Sequence, residues 1–542
     1  MTTDRIRASF APATKTQRLV VGAFFTGLLL LGLWLVRDYG VSVDEGQSRM
    51  NGMVSLKYLG DRYFPEFIRT HGEFAAYAGL PLPQYYDRDY GVVFELPVTW
   101  LEQALGLTSW RDIFQLRHLC TFLVCLAGVG AVYRLARRRF SDWRLGLLAA
   151  LLLVLSPRLF ADSFYNDKDA VFMGLFAVAT NTAVAFVARP TWRRMGWHAL
   201  ACALTIDVRI MGVVLPLATL ALLGLQAGRG AYRGQRVAAP AAAYLPLLAG
   251  LVVALWPYLW AAPWVNFAQA FANMAKFRWN SDVLYAGRLI PAVALPWHYA
   301  PVWIAITTPV LYLVGWAVGA AAILRRLGYR RWQLYAGDEW QDLLFLGLTV
   351  APVAAVVLLH SVIYDGWRQL YFVYPSLLLV ALRGLVAVAR WRPAAPRWQR
   401  AWQPLCYGVL GASLLTTAVQ MVTMHPLQNT YFNLLPGRHL EERYELDYWV
   451  LSYRQGLEWI ARHDDRAHVK VAAQMPTVLE SNRRMLSDYD QDRLEVVTDG
   501  QQADYYLTTY RWHPYPYTEY PQEVAALRAG GQRVLSIFRV RW

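Results

Sequence analysis

The stretch RLFADSFYNDKDAVFMGLF, residues 158–176, sets Arg158, Asp162, Asp167, Lys168 and Asp169 between two long apolar runs. A charge beside lipid is costly, so it is paired, hydrated or functional. The flanking runs approach the roughly 20 residues that cross a bilayer. The stretch therefore reads as the end of one membrane helix, a charged edge, and the start of the next.

Working outward, the same pattern recurs along the chain. Of 542 residues, 56% are hydrophobic and only 17% charged, too apolar for an ordinary soluble protein. Candidate spans fall near 18–36, 114–135, 145–160, 170–188, 197–206, 210–226, 238–260, 302–324, 342–360, 369–389 and 402–424. The span at 197–206 is too short to cross alone and reads as part of a broken hairpin around TIDVRIMG, whose unwound backbone must line a cavity. The 23 Trp and 32 Tyr suit membrane–water interfaces.

The net charge of +15 does not indicate a nucleic-acid partner. The arginines form short clusters between apolar runs: RLARRRFSDWR, RPTWRR, GRGAYRGQR, RRLGYRR and RWRPAAPRWQR. With residue 1 in the cytoplasm and eleven crossings, every cluster lies inside, as the positive-inside rule requires. The basic N-terminus then precedes a retained first helix and not a cleaved signal peptide. The fold expected is a polytopic α-helical membrane domain, 1–424, followed by a small α/β domain, 425–542, on the outer side. In the long first outer loop, 38–113, GQSRMNGMVSLKYL and VVFELPVTWLEQALGL read as amphipathic surface helices. In the tail, YRQGLEWIARH has helical spacing, and VKVAA, ADYYLTTY and RVLSIFRV are strand-like. Cys120, Cys125, Cys202 and Cys406 lie in apolar stretches without ligand or disulfide spacing.

Charged residues that do not set topology gather on the outer face. Asp44 and Glu45, in VSVDEG, could serve as a general base or form a solvated turn. Asp167, Lys168 and Asp169 open a helix, where carboxylates complement the dipole. A lysine among them suits phosphate held beside a base. Asp207 and Arg209 interrupt an apolar region, either as a structural pair or as a site. Tyr364, Asp365 and Arg368 sit at an outer helix boundary, where Arg suits bidentate phosphate contact. His298, in LPWHYAPVW, lacks a partner at metal spacing. Carboxylates, Lys and Arg on one face suit a transferase whose donor is a sugar on a lipid phosphate.

Six ordered blocks resemble the GT-C superfamily of membrane glycosyltransferases. The resemblance is to the bacterial dolichyl-phosphate-mannose-protein mannosyltransferase-like branch, family 39, related to aminoarabinose transferases. The blocks are VDEG, YGVVFELPVTWLEQALGL, YNDKDAVF, PWHYAPVWIAITTP, YDGWRQLYFVYP, and HPLQNTYFN with YELDYWVLSYRQGLEWI. The resemblance implies inverting transfer of a sugar from a polyprenyl-phosphate carrier to a hydroxyl of a protein, lipid or glycan, at the periplasmic face of a bacterial inner membrane. It makes Asp44 the base with Glu45 beside it, and Asp167 or Asp169 the second carboxylate. Lys168, Arg209, Arg368 and Arg158 are the expected phosphate contacts, and Tyr364, Asp365 and His298 the expected substrate contacts. It leaves a divalent metal open and requires no other cofactor. Two rival readings stand beside it: a transporter or flippase of lipid-linked sugars, and a non-catalytic envelope assembly protein.

Overall fold

Helices occupy all eleven expected spans, but among the described residues only nine are long and apolar enough to cross a membrane. The computed structural model describes residues 14–541 other than 236, 276, 278, 331–338 and 521. Most of the basic N-terminus, and parts of the GRGAYRGQR and RRLGYRR clusters, lie outside the described residues.

The two differences have local causes. The expected span at 145–160 is a pair of helices, Trp143–Val154 and Pro157–Tyr165, bent by 72°; counted as one span it makes ten. Pro157 opens the second helix and holds Ser156 extended (φ −116°, ψ 95°), because proline disfavours α geometry in the residue before it. The expected span at 197–206 is a 17-residue helix, Trp192–Val208. It stops at Arg209, which is extended, before a tight turn at Ile210–Val213.

The most enclosed spans are Asp169–Ala188 and Arg368–Arg390. Around them, Gly384 meets Gly315 and Gly319 so closely that a Cβ on Gly384 would fall 1.9 Å from the Gly315 carbonyl oxygen. Small residues at such crossings let helix backbones touch where no water drives association. The first and last spans, Lys15–Leu35 and Pro396–Met424, leave large apolar side chains such as Trp34, Leu415 and Val422 exposed, as lipid-facing helices do.

Ion pairs gather at two separate sets of helix ends. At one, Arg139 makes two 2.6 Å contacts with Asp342, and Arg383 lies 3.6 Å from the same carboxylate. The other set holds the cluster described below. Strands β1 (Asp282–Tyr285) and β2 (Arg288–Pro291) pair antiparallel as a separate two-stranded ribbon. At the helix ends that hold the cluster the chain also folds a five-stranded sheet of β3 (Val469–Ala473), β4 (Leu494–Val496), β5 (Tyr505–Thr508), β6 (Gln522–Ala529) and β7 (Gln532–Arg539), in the order β4-β3-β5-β7-β6. β3 runs parallel to β4 and β5, and β7 antiparallel to β5 and β6. Leu457 and Ile460 of the Ser452–His463 helix pack on Val471, Leu507 and Ile537 of the sheet.

This small domain grips the start of the long loop that follows the first span. Asn482 exchanges two 2.9 Å bonds with the Val41 backbone, and Arg454 donates to the carbonyls of Arg37 and Tyr39. Within the loop, Glu45–Tyr63 and Glu95–Ala104 pack on each other, with Arg49 and Glu102 paired between them.

Candidate functional site

The first span ends at Leu35, and the tethered segment that follows delivers Asp44 to the N-cap of Glu45–Tyr63. The Asp44 side chain makes no capping bond and is free to face elsewhere. It meets Arg368. That arginine follows a turn in which Asp365 (φ 54°) and Gly366 (φ 74°) are both left-handed. Trp367 pins the turn by donating to Thr307 Oγ1 at 2.8 Å.

Arg368 is the hub of the site. Its Nη1 lies 2.7 Å from Asp44 Oδ2 and 3.1 Å from Asp169 Oδ2, and its Nη2 lies 3.4 Å from Asp365 Oδ2. The Tyr364 and Trp449 rings stand 4.9 and 4.6 Å from the guanidinium. Arg209 Nη2 is 2.5 Å from Asp169 Oδ1, and Arg511 Nη2 donates to Asp365 Oδ1 at 2.7 Å. Among the described residues three carboxylates meet Arg368, and of these only Asp44 keeps substantial access: its side chain is 32% exposed, against 1% for Asp169 and Asp365. Burial works to raise the Asp44 carboxyl, but Arg368 and Lys168 outweigh it and hold Asp44 below the usual carboxylate range.

The NDKD stretch divides its residues. Asp169 enters the Arg368 cluster; Asp167 turns away, accepts from Ser48 Oγ at 2.8 Å and lies 3.7 Å from Arg117. Neither caps the helix by its side chain: Asn166 does, accepting from the Asp169 amide at 2.8 Å. Burial, and then Glu95 on the far side of Arg117, push Asp167 well above the usual carboxylate range. Lys168 lies 3.8 Å from Asp87 and 4.3 Å from the Tyr90 ring centre, with no acceptor in hydrogen-bond reach among the described residues. Glu45 points back into the protein, accepting from the Ser42 amide at 2.7 Å and lying 2.8 Å from His118 Nε2.

Asp207 and Arg209 are not paired with each other. Asp207 accepts from the Val93 amide at 2.7 Å, and a Cβ on Gly91 would fall 2.2 Å from its backbone oxygen, so glycine is required where the two segments touch. Arg158 is elsewhere, donating to the Tyr431 carbonyl at 2.8 Å over the Phe432 ring. His298 Nδ1 is 2.7 Å from the Tyr285 hydroxyl, beyond the Arg368 cluster.

Beside the cluster lies an apolar cavity of about 280 Å³, lined by Met211, Phe271 and Val356, with Tyr90, Arg209 and Tyr364 among its polar groups. The unwound stretch at the end of Trp192–Val208 does line a cavity. Among the described residues no three His, Cys, Asp or Glu side chains are grouped as metal ligands.

Sequence reading missed several residues here. Arg117 and His118 interrupt an apolar helix and should have been flagged by that rule alone. Arg511 and Asp87 carry no motif, while Tyr90, Glu445 and Trp449 lie inside the blocks YGVVFELPVTWLEQALGL and YELDYWVLSYRQGLEWI without standing out there as site residues. The Glu445 carboxyl is pushed up to about 8 by burial and by Asp365, against the opposing pull of Arg511. Between its ordinary value of 4.5 and about 8, the folded protein holds a proton there that the unfolded chain has released. Stability is then expected to fall as pH rises through that window, and Glu445→Gln to flatten the trend. Melting temperature against pH for both proteins checks this; equal slopes would contradict it.

A sequence profile of the family described as dolichyl-phosphate-mannose-protein mannosyltransferase matches residues 105–260. Comparison with curated proteins returns no match. Among solved structures, the Archaeoglobus fulgidus oligosaccharyltransferase in complex with zinc and sulfate aligns at 13% identity and a TM-score of 0.38, over 77% of this chain and 55% of that one. The chain is a multi-pass membrane protein with a small sheet domain outside the spans, similar to that mannosyltransferase family over residues 105–260.

Proposed function

We propose that the chain is a membrane glycosyltransferase that moves a sugar from a polyprenyl-phosphate carrier to a hydroxyl acceptor at the outer face of its membrane. The observation that carries this reading is the convergence of Asp44 and Asp169 on one Nη of Arg368, beside an apolar cavity that reaches Arg209. The cavity takes part of the isoprenoid chain. Lys168 and Arg209 receive the phosphate as charge builds on its oxygens. An acceptor hydroxyl approaches Asp44, gives it the proton, and forms the new C1–O bond. The C1–O bond to phosphate breaks on the opposite face, the phosphate leaves with the electron pair, and the anomeric configuration inverts. A phosphate beside Lys168 offsets part of the positive field that depresses Asp44, making it a better base once donor is bound.

A flippase needs charged groups along the whole path, and the site charges here gather at one end. The test is incubation of the purified protein with a panel of polyprenyl-phosphate sugars, with mass spectrometry of the acceptor pool. A sugar increment supports the reading, and no increment across the panel overturns it.

Two further outcomes follow. Because Asp167 turns away from the Arg368 cluster, accepts from Ser48 and is pushed well above the usual carboxylate range by burial, Asp167→Asn is expected to leave turnover and melting near wild type. Asp169→Asn, which removes the charge between Arg209 and Arg368, is expected to cost at least tenfold in turnover. Turnover assays with melting curves distinguish the two; equal losses would contradict the division. For orientation, a reporter active only outside the inner membrane is expected to be active when fused after residue 430 and silent near 230 or 328. Activity at both 430 and 230 would contradict the proposed topology.

A further inference from the structure

Beside Asp44 the first outer loop builds a polar shelf that the transfer chemistry does not use. Gln47 and Asn51 lie one turn apart on Glu45–Tyr63, and Gln47 Nε2 donates to Asn51 Oδ1 at 2.9 Å. The Tyr85 hydroxyl donates to the same Asn51 oxygen at 2.6 Å. With their geometry locked, both amides turn to Asp87: Asn51 Nδ2 donates to Asp87 Oδ2 at 2.7 Å and Gln47 Nε2 lies at 3.5 Å. Lys168 Nζ stands 3.8 Å from that same oxygen.

All three partners fall on Oδ2. Among the described residues Asp87 Oδ1 has no protein partner, and the side chain keeps 16% of its surface open. The hydroxyls of Tyr90 and Tyr364 likewise have no protein partner among the described residues, and both tyrosines line the cavity beside Arg209. A carboxylate that served only to hold Lys168 would not need two amides fixing its plane. An oriented carboxylate with one open oxygen, next to open hydroxyls, suits a ligand rich in hydroxyl donors. Lys168 joins this shelf to the reaction centre, since its charge acts on both Asp87 and Asp44.

We infer that Asp87, oriented by Gln47 and Asn51, accepts hydrogen bonds from ring hydroxyls of the donor sugar and makes the site selective for the sugar-bearing carrier over the bare one. This rests on the transferase reading. With the phosphate on Lys168 and Arg209, a sugar ring attached to it extends between Asp44 and Asp87. A site that hydrogen-bonds a substrate hydroxyl rejects an analogue lacking it strongly, because its own polar group is left unpaired.

The experiment is equilibrium binding to purified full-length protein in nanodiscs. The probes are undecaprenyl phosphate and undecaprenyl phosphates carrying mannose, glucose, galactose or arabinose. Wild type is expected to bind at least one sugar-bearing lipid tenfold or more tightly than the bare carrier. Asp87→Asn and Asn51→Ala are expected to bind the bare carrier as wild type does and to lose most of that tenfold increment. If the increment survives in both variants, or if Asp87→Asn weakens bare and sugar-bearing lipids equally, the inference is overturned; the second result would leave Asp87 as a support for Lys168 alone. Should Asp87→Asn fail to fold, Asn51→Ala decides alone, because it disturbs the orientation of the carboxylate and leaves its charge. A wild type that binds bare and sugar-bearing lipids equally overturns the sugar subsite while sparing the phosphate site. A wild type that binds no probe overturns the transferase reading itself, and the subsite with it.

Discussion

Asp44→Asn is expected to reduce turnover by roughly 10²–10⁴-fold, the usual contribution of a positioned base, and to leave donor binding near wild type. The substitution keeps the shape of the side chain and removes its ability to take a proton. Asp44 is the one carboxylate on Arg368 with room for an acceptor beside it. Glu45 is poorly placed to substitute, because it is turned toward the Ser42 amide and His118. Turnover and donor affinity measured on the same preparation separate the two effects. Near-normal turnover in Asp44→Asn would remove Asp44 as the base, and near-normal turnover in an Asp44/Glu45 double variant would remove the mechanism.

Arg368→Ala is expected to damage both folding and activity. Removing one partner of a buried ion pair costs about 3–5 kcal/mol, because the remaining charge is left uncompensated. Among the described residues, Asp169 and Asp365, each 1% exposed, lose one of two paired arginines, while Asp44 loses its one paired arginine. Arg368→Lys is the sharper variant. A lysine keeps the charge but lacks the planar fork that reaches Asp44 and Asp169 from one nitrogen and Asp365 from the other. It is expected to restore part of the melting temperature and little of the turnover. Melting in detergent alongside turnover checks this, and a lysine variant with wild-type activity would contradict the role of the fork.

Much of the helical architecture was legible because a membrane span is a composition signal, readable without knowing what packs against what. The bend at Pro157 was not, since it depends on local backbone geometry that hydropathy averages away, whereas the break near Arg209 was, because Asp207 and Arg209 interrupt the apolar run. In the site, Asp44, Asp169, Arg209 and Arg368 each stood out as a charge at the edge of an apolar run. The structure brings all four into one cluster, with Lys168 beside Asp87 and Tyr90 next to it. Pair assignments were not readable. Asp167 and Asp169 are two residues apart, yet one faces Arg117 and the other Arg368, and only the packing of the neighbouring helices decides which. Arg511 was out of reach because it arrives from the sheet domain, 146 residues after the Asp365 it contacts. Its one local sign is the Tyr-rich run TYRWHPYPY, residues 509–517, after β5.

The most direct measurement follows a doubly labelled polyprenyl-phosphate sugar, with distinct isotopes in lipid and sugar, in liposomes carrying the purified protein and an acceptor pool. The expected result is free polyprenyl phosphate together with labelled acceptor of inverted anomeric configuration, abolished by Asp44→Asn. Intact donor recovered on the opposite leaflet, with both labels still joined and no labelled acceptor, would contradict the transferase account.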